Sequence, residues 1–533
     1  MIRAVLEQSL RDALVAVGVE PPTSISLERP TRREHGDWSS NVALATAKAA
    51  GRQPRELAQS LADELSDTPP PHVESIELAG PGFVNFRLRP TWLHDVLSEV
   101  IAGGERGYAR PDIGAGTKVD VEFVSANPTG PLHAGNGRWA AYGDALCNLL
   151  ERCGYEPHRE YYLNDRGVQM GLFAASLAAR KAGAALPEDG YAGGYIGEWA
   201  AEMPDGVDPA EWGYERVKRD LADSLAAIGV EFDTWFSERS LVASGAIDAT
   251  LADLRARGAV YDADGAVWLR TTAFGDDKDR VLVKSDGEPT YLLPDIAYHR
   301  DKFDRGWQLL IDVWGADHHG YVARLKVGVQ ALGHGADELE IVLGQLVSLV
   351  RAGEEVRLSK RAGTMVLLED LVAAAGKDAA RLTFLLQSLD TKQTIDLDVI
   401  TARSMENPVF YVQMAHARVA GIARHAAEEG VERGALGEVD ISLLDNEREL
   451  DVLRSLAELP EVVEIACRDR APHKITTWVR ELAGAFHGFY HDCYVIGDVA
   501  PELTQARLWL VEAARIGLAI GLDILGVSAP ETM

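Results

Sequence analysis

The chain has 533 residues, more than one hydrophobic core accommodates, so about two to four domains are expected. Its 47% hydrophobic and 25% charged residues are those of an ordinary soluble protein, and no apolar run approaches the roughly 20 residues of a helical membrane span. The net charge of −29 favours solubility, and it leaves room for a local basic groove that binds phosphate backbones.

Cys147, Cys153, Cys467 and Cys493 include no CxxC pair, which argues against a structural zinc site and fits a reducing cytoplasm. The opening MIRAVLEQSLRDALVAVG carries Arg3, Glu7, Arg11 and Asp12. It reads as an amphipathic helix rather than a signal peptide.

Residues 1–112 are expected to form a small α+β domain. A short strand at 24–27 leads into RREHGDWSSNVALATAKAAG, where Asp37 or Ser39 suits the N-cap of the next helix. VESIELAGPGFVNFRLRP reads as a hairpin around Pro81-Gly82. Two readings of Asn85, Phe86 and Arg87 stand here: an exposed edge that touches RNA, or Phe86 in the core with Arg87 solvated.

Residues 113–385 alternate strands with helices, the pattern of a parallel sheet covered on its faces. The stretch 118–152, KVDVEFVSANPTGPLHAGNGRWAAYGDALCNLLER, reads as a buried strand, a loop rich in Pro and Gly, and a helix. Such a turn is a ready phosphate site. A strand over 157–163 ends in NDRG, and a helix over 168–184 follows. The region 186–277 breaks the rhythm and reads as an insertion, with helices near 211–228 and 241–257. Beyond it come a hairpin signal at Asp286-Gly287 and the buried strand LLIDVWGADHH. The polar end of that strand, Asp317, His318 and His319, lies where ligands bind in such sheets. From 386 to 533 apolar residues recur at helical spacing over 405–429, 444–459, 460–469, 472–490 and 503–525, an all-α bundle.

Two stretches carry chemistry. His133-Ala134-Gly135-Asn136 combines small residues, which let phosphates reach backbone N–H groups, with two side-chain donors on a first helical turn. Arg357-Leu358-Ser359-Lys360-Arg361, with Gly363 behind it, is a cationic loop suited to drawing charge off a departing pyrophosphate. Either one alone is a weak signal.

Together, in this order, they resemble the paired HIGH and KMSKS signatures of class I aminoacyl-tRNA synthetases. Longer blocks resemble the arginyl-tRNA synthetases: VEFVSANPTGPLHAGNGR, EYYLNDRG, PTYLLPDIAYHRDK, IDVWGADHHGYVARL, VRLSKRAGTMVLLEDL, ENPVFYVQMAHAR and GLDILGVSAPETM. HGDW and AGPGFVNF resemble that family's extra N-terminal domain, so the resemblance spans nearly the whole chain. It implies an α/β, Rossmann-type catalytic domain between a small α+β domain and an all-α anticodon-binding bundle. It also implies ligation of L-arginine to the 2′-hydroxyl of the terminal adenosine of arginine tRNA. ATP with Mg²⁺ is the co-substrate, arginyl-adenylate the intermediate, and activation needs bound tRNA. The expected enzyme is a cytoplasmic monomer with no prosthetic group, no zinc and no membrane partner.

The same resemblance assigns roles. His133, Gly135, Asn136, Ser359 and Lys360 become ATP contacts, with His133, Asn136 and Lys360 catalytic. Asp317 and His318 serve the adenosine or the substrate ammonium. Glu122 and Asn127 line one wall of an arginine pocket and Tyr291 and Asp295 the other, with Gln169 as a lesser contact. The chemistry agrees, because a guanidinium offers five fixed donors and no acceptor. Two carboxylates around a planar slot select it over an ammonium by bidentate geometry, and Asn127 suits the α-amino or carboxylate end.

Three positions depart from the family pattern. Asn136 replaces the second histidine of HIGH and cannot become cationic; Arg357 replaces a lysine and keeps its charge; Met414 stands where a tyrosine is common and reads as core filler. Candidate RNA contacts are Asn85 and Phe86, and in the bundle Tyr411, Gln413, His416, Arg418, His487 and Tyr490. An alternative keeps the fold but serves a biosynthetic or resistance role. A tRNA-binding module without catalysis would predict damage to the loops or the pocket, which are intact in chemical type.

Overall fold

The computed structural model describes residues 2–30, 32–356 and 366–533. It divides into two compact units: Met1–Tyr108 with Val419–Glu458 and Gly484–Gly517, and Ala109–Arg418 with Leu459–Ala483 and Leu518–Met533.

In the first unit, β1 (Leu27–Glu28), β2 (Trp38–Ser40), β3 (Val73–Ala79) and β4 (Phe83–Leu88) form an antiparallel sheet in the order β1-β2-β4-β3. The expected hairpin forms, with Ala79 opposite Phe83. In β4, which lies between β2 and β3, Phe86 is fully buried, and Asn85 is buried with its Oδ1 accepting from Ser39 Oγ at 2.7 Å. The RNA-contact expectation for both residues fails on this burial, which leaves neither side chain a face to offer RNA. Asp37 does not cap a helix either; its Oδ2 accepts from Leu88 N at 2.7 Å and so stitches HGDW to β4. Gly36 (φ +91°) makes this approach possible, because a Cβ there would lie 2.6 Å from Phe86 O.

The second unit is built on a five-stranded parallel sheet. Its strands are β5 (Lys118–Glu122), β6 (Glu156–Leu163) and β7 (Thr234–Ser237), then, after a small antiparallel sheet of β8 (Val260–Ala263), β9 (Ala266–Leu269) and β10 (Arg280–Val283), β11 (Leu309–Gly315) and β12 (Leu339–Gly344). The order β12-β11-β5-β6-β7 reverses direction between β5 and β11, so a crevice opens there at the carboxyl ends of the strands. A third sheet joins β13 (Val347–Arg351), β14 (Glu354–Val356) and β15 (Gln393–Asp396) in the order β14-β13-β15.

Some elements differ from their expected form. Within the stretch read as an insertion, Thr234–Ser237 is itself the edge strand of the parallel sheet. The helix expected over 241–257 is two, Glu238–Ala243 and Ala246–Ala256, parted at Gly245 (φ +71°). The turn at Gly287 forms, but the run after it is the helix Leu292–Asp304 rather than a second full strand. Pro460 does not end a helix; Glu447–Arg468 runs through it.

Candidate active site

Strand β5 is buried from Val119 to Glu122, as a strand covered on both faces must be. Two of those buried residues are acidic, and the register extends the oddity. Glu122 stands opposite Asp312 of β11 on one side and Glu160 of β6 on the other. Three carboxylates therefore form a row across the centre of the sheet.

Like charges in register repel, and the helix Leu292–Asp304 supplies the counter-charges. Lys302 is fully buried, with Nζ 2.8 Å from Glu122 Oε2, 3.1 Å from Asp312 Oδ1 and 3.2 Å from Asp120 Oδ2. Arg305 grips Glu160 through two bonds of 2.6 and 2.9 Å. Burial works against the charge on Lys302, but Asp312, Glu122 and Asp120 outweigh it and raise its pKa. Burial pushes Asp120 up to about 7, against the pull of Lys302. Asp312 is held at about 2: burial works against its charge, and Lys302 and His299 prevail.

His299 touches Asp295 O through Nδ1 at 2.7 Å and Asp312 Oδ2 through Nε2 at 2.8 Å. Both partners are acceptors, so both ring nitrogens donate and the ring is an imidazolium. Burial opposes that charge, but Asp312 raises the pKa above the ordinary value. Asp295, His299 and Lys302 are spaced i, i+4 and i+7 and share one helix face.

The chain leaves β5 through a strained turn. Val124 (φ +66°) and Ser125 (φ +39°) are consecutive left-handed residues without being glycine, at about 1–3 kcal/mol each. The turn is held by Ser125 N donating to Phe123 O at 2.9 Å and by Tyr162 N donating to Ser125 Oγ at 3.1 Å. Its product is Ser125 Oγ donating to Glu122 Oε1 at 3.0 Å. One carboxylate is thus fixed from both ends, by Lys302 and by Ser125.

Asn127 lies beyond the turn, and its Nδ2 donates to Gln169 Oε1 at 2.9 Å, so these two expected pocket residues meet. Asp295 Oδ2 accepts from Tyr321 OH at 2.5 Å, and burial raises its pKa to about 6. The charge of Glu122 adds to that rise. Tyr291 does not close over the expected pocket; at the start of its helix it is 89% exposed.

The phosphate loop then opens the helix Asn136–Arg152, with Gly135 at its N-cap. His133 N donates to Asn136 Oδ1 at 3.1 Å, which leaves the Asn136 amide hydrogens as its donors. Phe123 packs so closely under this helix that a Cβ on Gly143 would lie 2.1 Å from its ring. Arg138, fully buried, donates to the carbonyls of Gln345, Ser388 and Thr391 and fixes the first turn; burial lowers its pKa to about 10. The loop is also paired in backbone with the segment that follows the cationic stretch: His133 bridges Leu367. Arg357, Ser359, Lys360 and Arg361 themselves lie outside the described residues. Asp317 and His318 are exposed at the end of β11, 3.6 Å apart.

Other expected contacts are occupied within the protein. Gln413 Nε2 donates to Asp378 Oδ2 at 2.9 Å and to Ser528 O at 3.0 Å, and His416 Nδ1 meets Pro530 O at 2.9 Å. Both are buried and fasten the segment at 528–530, so neither presents a free face to RNA. Tyr411, Met414 and Arg418 are half-buried. Among the described residues Asp120, His158 and Glu160 have the spacing of metal ligands, but Lys302 and Arg305 already hold the two carboxylates.

Sequence reasoning missed Ser125, His299, Lys302, Arg305 and Tyr321. The face spacing from Asp295 is the signal that points to His299 and Lys302.

Comparison with known proteins covers the whole chain. Three family models match: "Arginyl tRNA synthetase N terminal domain" over 2–88, "tRNA synthetases class I (R), catalytic domain" over 98–189 and 221–420, and "DALR anticodon binding domain" over 412–533. The chain is 47% identical to an arginine–tRNA ligase of Frankia alni, across 98% of this chain and 99% of the relative. It is 45% identical to one of Symbiobacterium thermophilum, across 100% and 99%. The crystal structure of a putative arginyl-tRNA synthetase from Campylobacter jejuni superposes with a TM-score of 0.75 at 32% identity, over 84% of this chain and all of the other. Thermus thermophilus arginyl-tRNA synthetase shares the fold at 23% identity, with a TM-score of 0.78 over the full length of both.

Proposed function

Because the chain belongs to the class I arginyl-tRNA synthetases and ligates L-arginine to tRNA with ATP, we propose the following division of labour among its residues. Glu122 and Asp295 receive the guanidinium, and Asn127 and Gln169 receive the amino-acid end. Tyr291, exposed at the pocket's helix, folds over the bound side chain. His133, Gly135 and Asn136 hold the phosphates of ATP at a helix N-terminus, where the helix dipole favours anions. Ser359 and Lys360 draw off pyrophosphate. Asp317 and His318 take the adenosine or the substrate ammonium.

The observation that carries this reading is continuity. Glu122 ends β5 beside the switch to β11, and the phosphate loop follows it directly. One strand end therefore serves both substrates. The arginine carboxylate attacks the α-phosphorus in line, the bond to pyrophosphate breaks, and arginyl-adenylate results. The 2′-hydroxyl of the terminal adenosine then attacks the carbonyl carbon and AMP leaves. No covalent enzyme intermediate is needed, so positioning and electrostatics supply the rate. The exposed carboxylate of Asp317 would offer an oxygen ligand to Mg²⁺ accompanying ATP, which would supply charge neutralisation at the phosphates.

Residues 1–112 and 386–533 contribute tRNA contacts on either side of the catalytic 113–385, in a monomeric cytoplasmic enzyme. A biosynthetic or resistance role has no observation in its favour, and the relatives are arginine–tRNA ligases.

Arginine-dependent ATP–pyrophosphate exchange, with and without arginine tRNA, tests this reading. Exchange is expected with arginine alone among amino acids and only when tRNA is present. Exchange driven by another amino acid would overturn the pocket assignment. Undiminished exchange without tRNA would overturn only the tRNA dependence.

A further inference from the structure

The row Asp312–Glu122–Glu160 raises a question of charge. A pocket for a guanidinium needs anionic carboxylates when it is empty, yet buried carboxylates in contact push one another towards the neutral form. A buried charge persists only where it is paired and hydrogen-bonded. Lys302 meets that need at one point. Its Nζ lies within 3.2 Å of Asp120, Glu122 and Asp312, from a side chain with no exposure. The ring of Tyr298 covers it, with Nζ 4.5 Å from the centroid. Lys302 does not reach the solvent-facing side of the cluster, so it serves the carboxylates from beneath.

We propose that Lys302 is the positioning residue of the arginine pocket: its ammonium holds the Glu122 carboxylate in one orientation, so that the guanidinium meets a preformed acceptor. The inference rests on the assignment of Glu122 to that pocket. The same ammonium also bonds Asp312 and pairs with Asp120, and at Glu122 it acts together with Ser125. Lys302 takes Oε2, Ser125 takes Oε1 on one lone pair, and the carboxylate plane is fixed before substrate arrives. Without the ammonium, the Glu122 carboxylate turns away from its fixed orientation, and the bidentate match is lost. ATP, bound by the loop beyond, does not depend on it.

The test compares Lys302→Ala, Lys302→Arg and Glu122→Gln by steady-state aminoacylation, with KM for arginine and for ATP measured separately. Lys302→Ala is expected to raise KM for arginine tenfold or more and to leave KM for ATP within twofold. Added methylamine or ethylamine, filling the vacated space with a free ammonium, is expected to restore KM for arginine. Lys302→Arg keeps the charge and is expected to fold even where the alanine variant does not, with KM for arginine raised less than tenfold over the wild type and KM for ATP within twofold. The proposal is overturned if Lys302→Ala leaves KM for arginine unchanged. It is equally overturned if KM for arginine and ATP rise together with no response to alkylamine, which is the mark of a merely structural lysine. Glu122→Gln separates the two ideas. An unchanged KM for arginine in that variant removes the pocket reading itself, whereas a raised KM there beside a normal Lys302→Ala removes only the role of Lys302.

Discussion

His133 and Leu367 face each other across an antiparallel bridge, with Ala134 N donating to Val366 O and Leu368 N donating to Leu132 O, each at 2.9 Å. The phosphate loop and the end of the cationic segment are therefore tied by backbone, which no side-chain change removes. Proline at 368 removes one tie. Position 368 opens the helix Leu368–Ala375, where a missing N–H costs the helix nothing, and Leu367 (φ −71°, ψ 155°) already has the extended backbone that precedes proline. Leu368 is also fully buried, so Leu368→Ala is the control for lost packing. One hydrogen bond is worth about 0.5–1.5 kcal/mol. Leu368→Pro is expected to turn over pyrophosphate exchange about three- to tenfold more slowly than Leu368→Ala, with KM for arginine the same in both.

The cationic loop itself is tested at Lys360. If it acts on departing pyrophosphate, its contribution appears in the transition state and not in arginine binding. Lys360→Ala is then expected to lower the rate of aminoacylation by about 10²–10³ with little change in KM for arginine. Near-normal turnover would take the loop out of the mechanism.

The parallel sheet and the phosphate loop were legible in the sequence because they obey local rules: a buried run, small residues, then a helix. The supports of the site were not. Lys302 lies 180 residues from Glu122 in sequence; its spacing from Asp295 puts it on the same helix face, and the strand register shows why a buried cation is required there. Val124 carries no turn signal, since a β-branched residue avoids positive φ, and the strain at Val124 and Ser125 is tolerated for what it aims at Glu122. Phe86 admits both an RNA platform and, as the favoured reading, core, because an alternating strand does not say which of its faces is covered. The burial of its ring decides it.

Asp295 gives the arginine step a pH dependence. Burial raises its pKa to about 6, with Glu122 and Glu238 adding to the rise and Tyr321 and His299 opposing it. A guanidinium needs the carboxylate, so kcat/KM for arginine is expected to fall as pH drops below about 6, approaching tenfold per unit. Asp295→Asn should lower kcat/KM and flatten that limb. The stability effect has the opposite sense. The raised pKa means that the folded chain binds this proton more tightly than the unfolded chain, so the stability it confers is complete below the ordinary carboxylate pKa of 3.8 and is lost as pH rises through about 6. Bound arginine repays that loss by pairing the carboxylate. Arginine is therefore expected to raise Tm more at pH 7.5 than at pH 5, which thermal unfolding at the two values would measure.

Phe86 separates a packing role from an RNA role. It has no exposure, it stands between Trp38 of β2 and Ile76 of β3, and its carbonyl accepts from Asp37 N at 2.7 Å. A ring in that position contributes through packing, and its removal leaves a cavity that a sheet centre cannot close. Phe86→Ala is expected to destabilise the first unit by about 3–5 kcal/mol. Because the ring never reaches the surface, the fraction that remains folded should charge tRNA with an unchanged KM. A direct contact gives the reverse pattern, a raised KM for tRNA at nearly unchanged stability. Denaturant unfolding together with aminoacylation kinetics on the same variant, at a temperature where it is folded, distinguishes the two. A raised KM for tRNA would return Phe86 to the RNA surface and would require β4 to open.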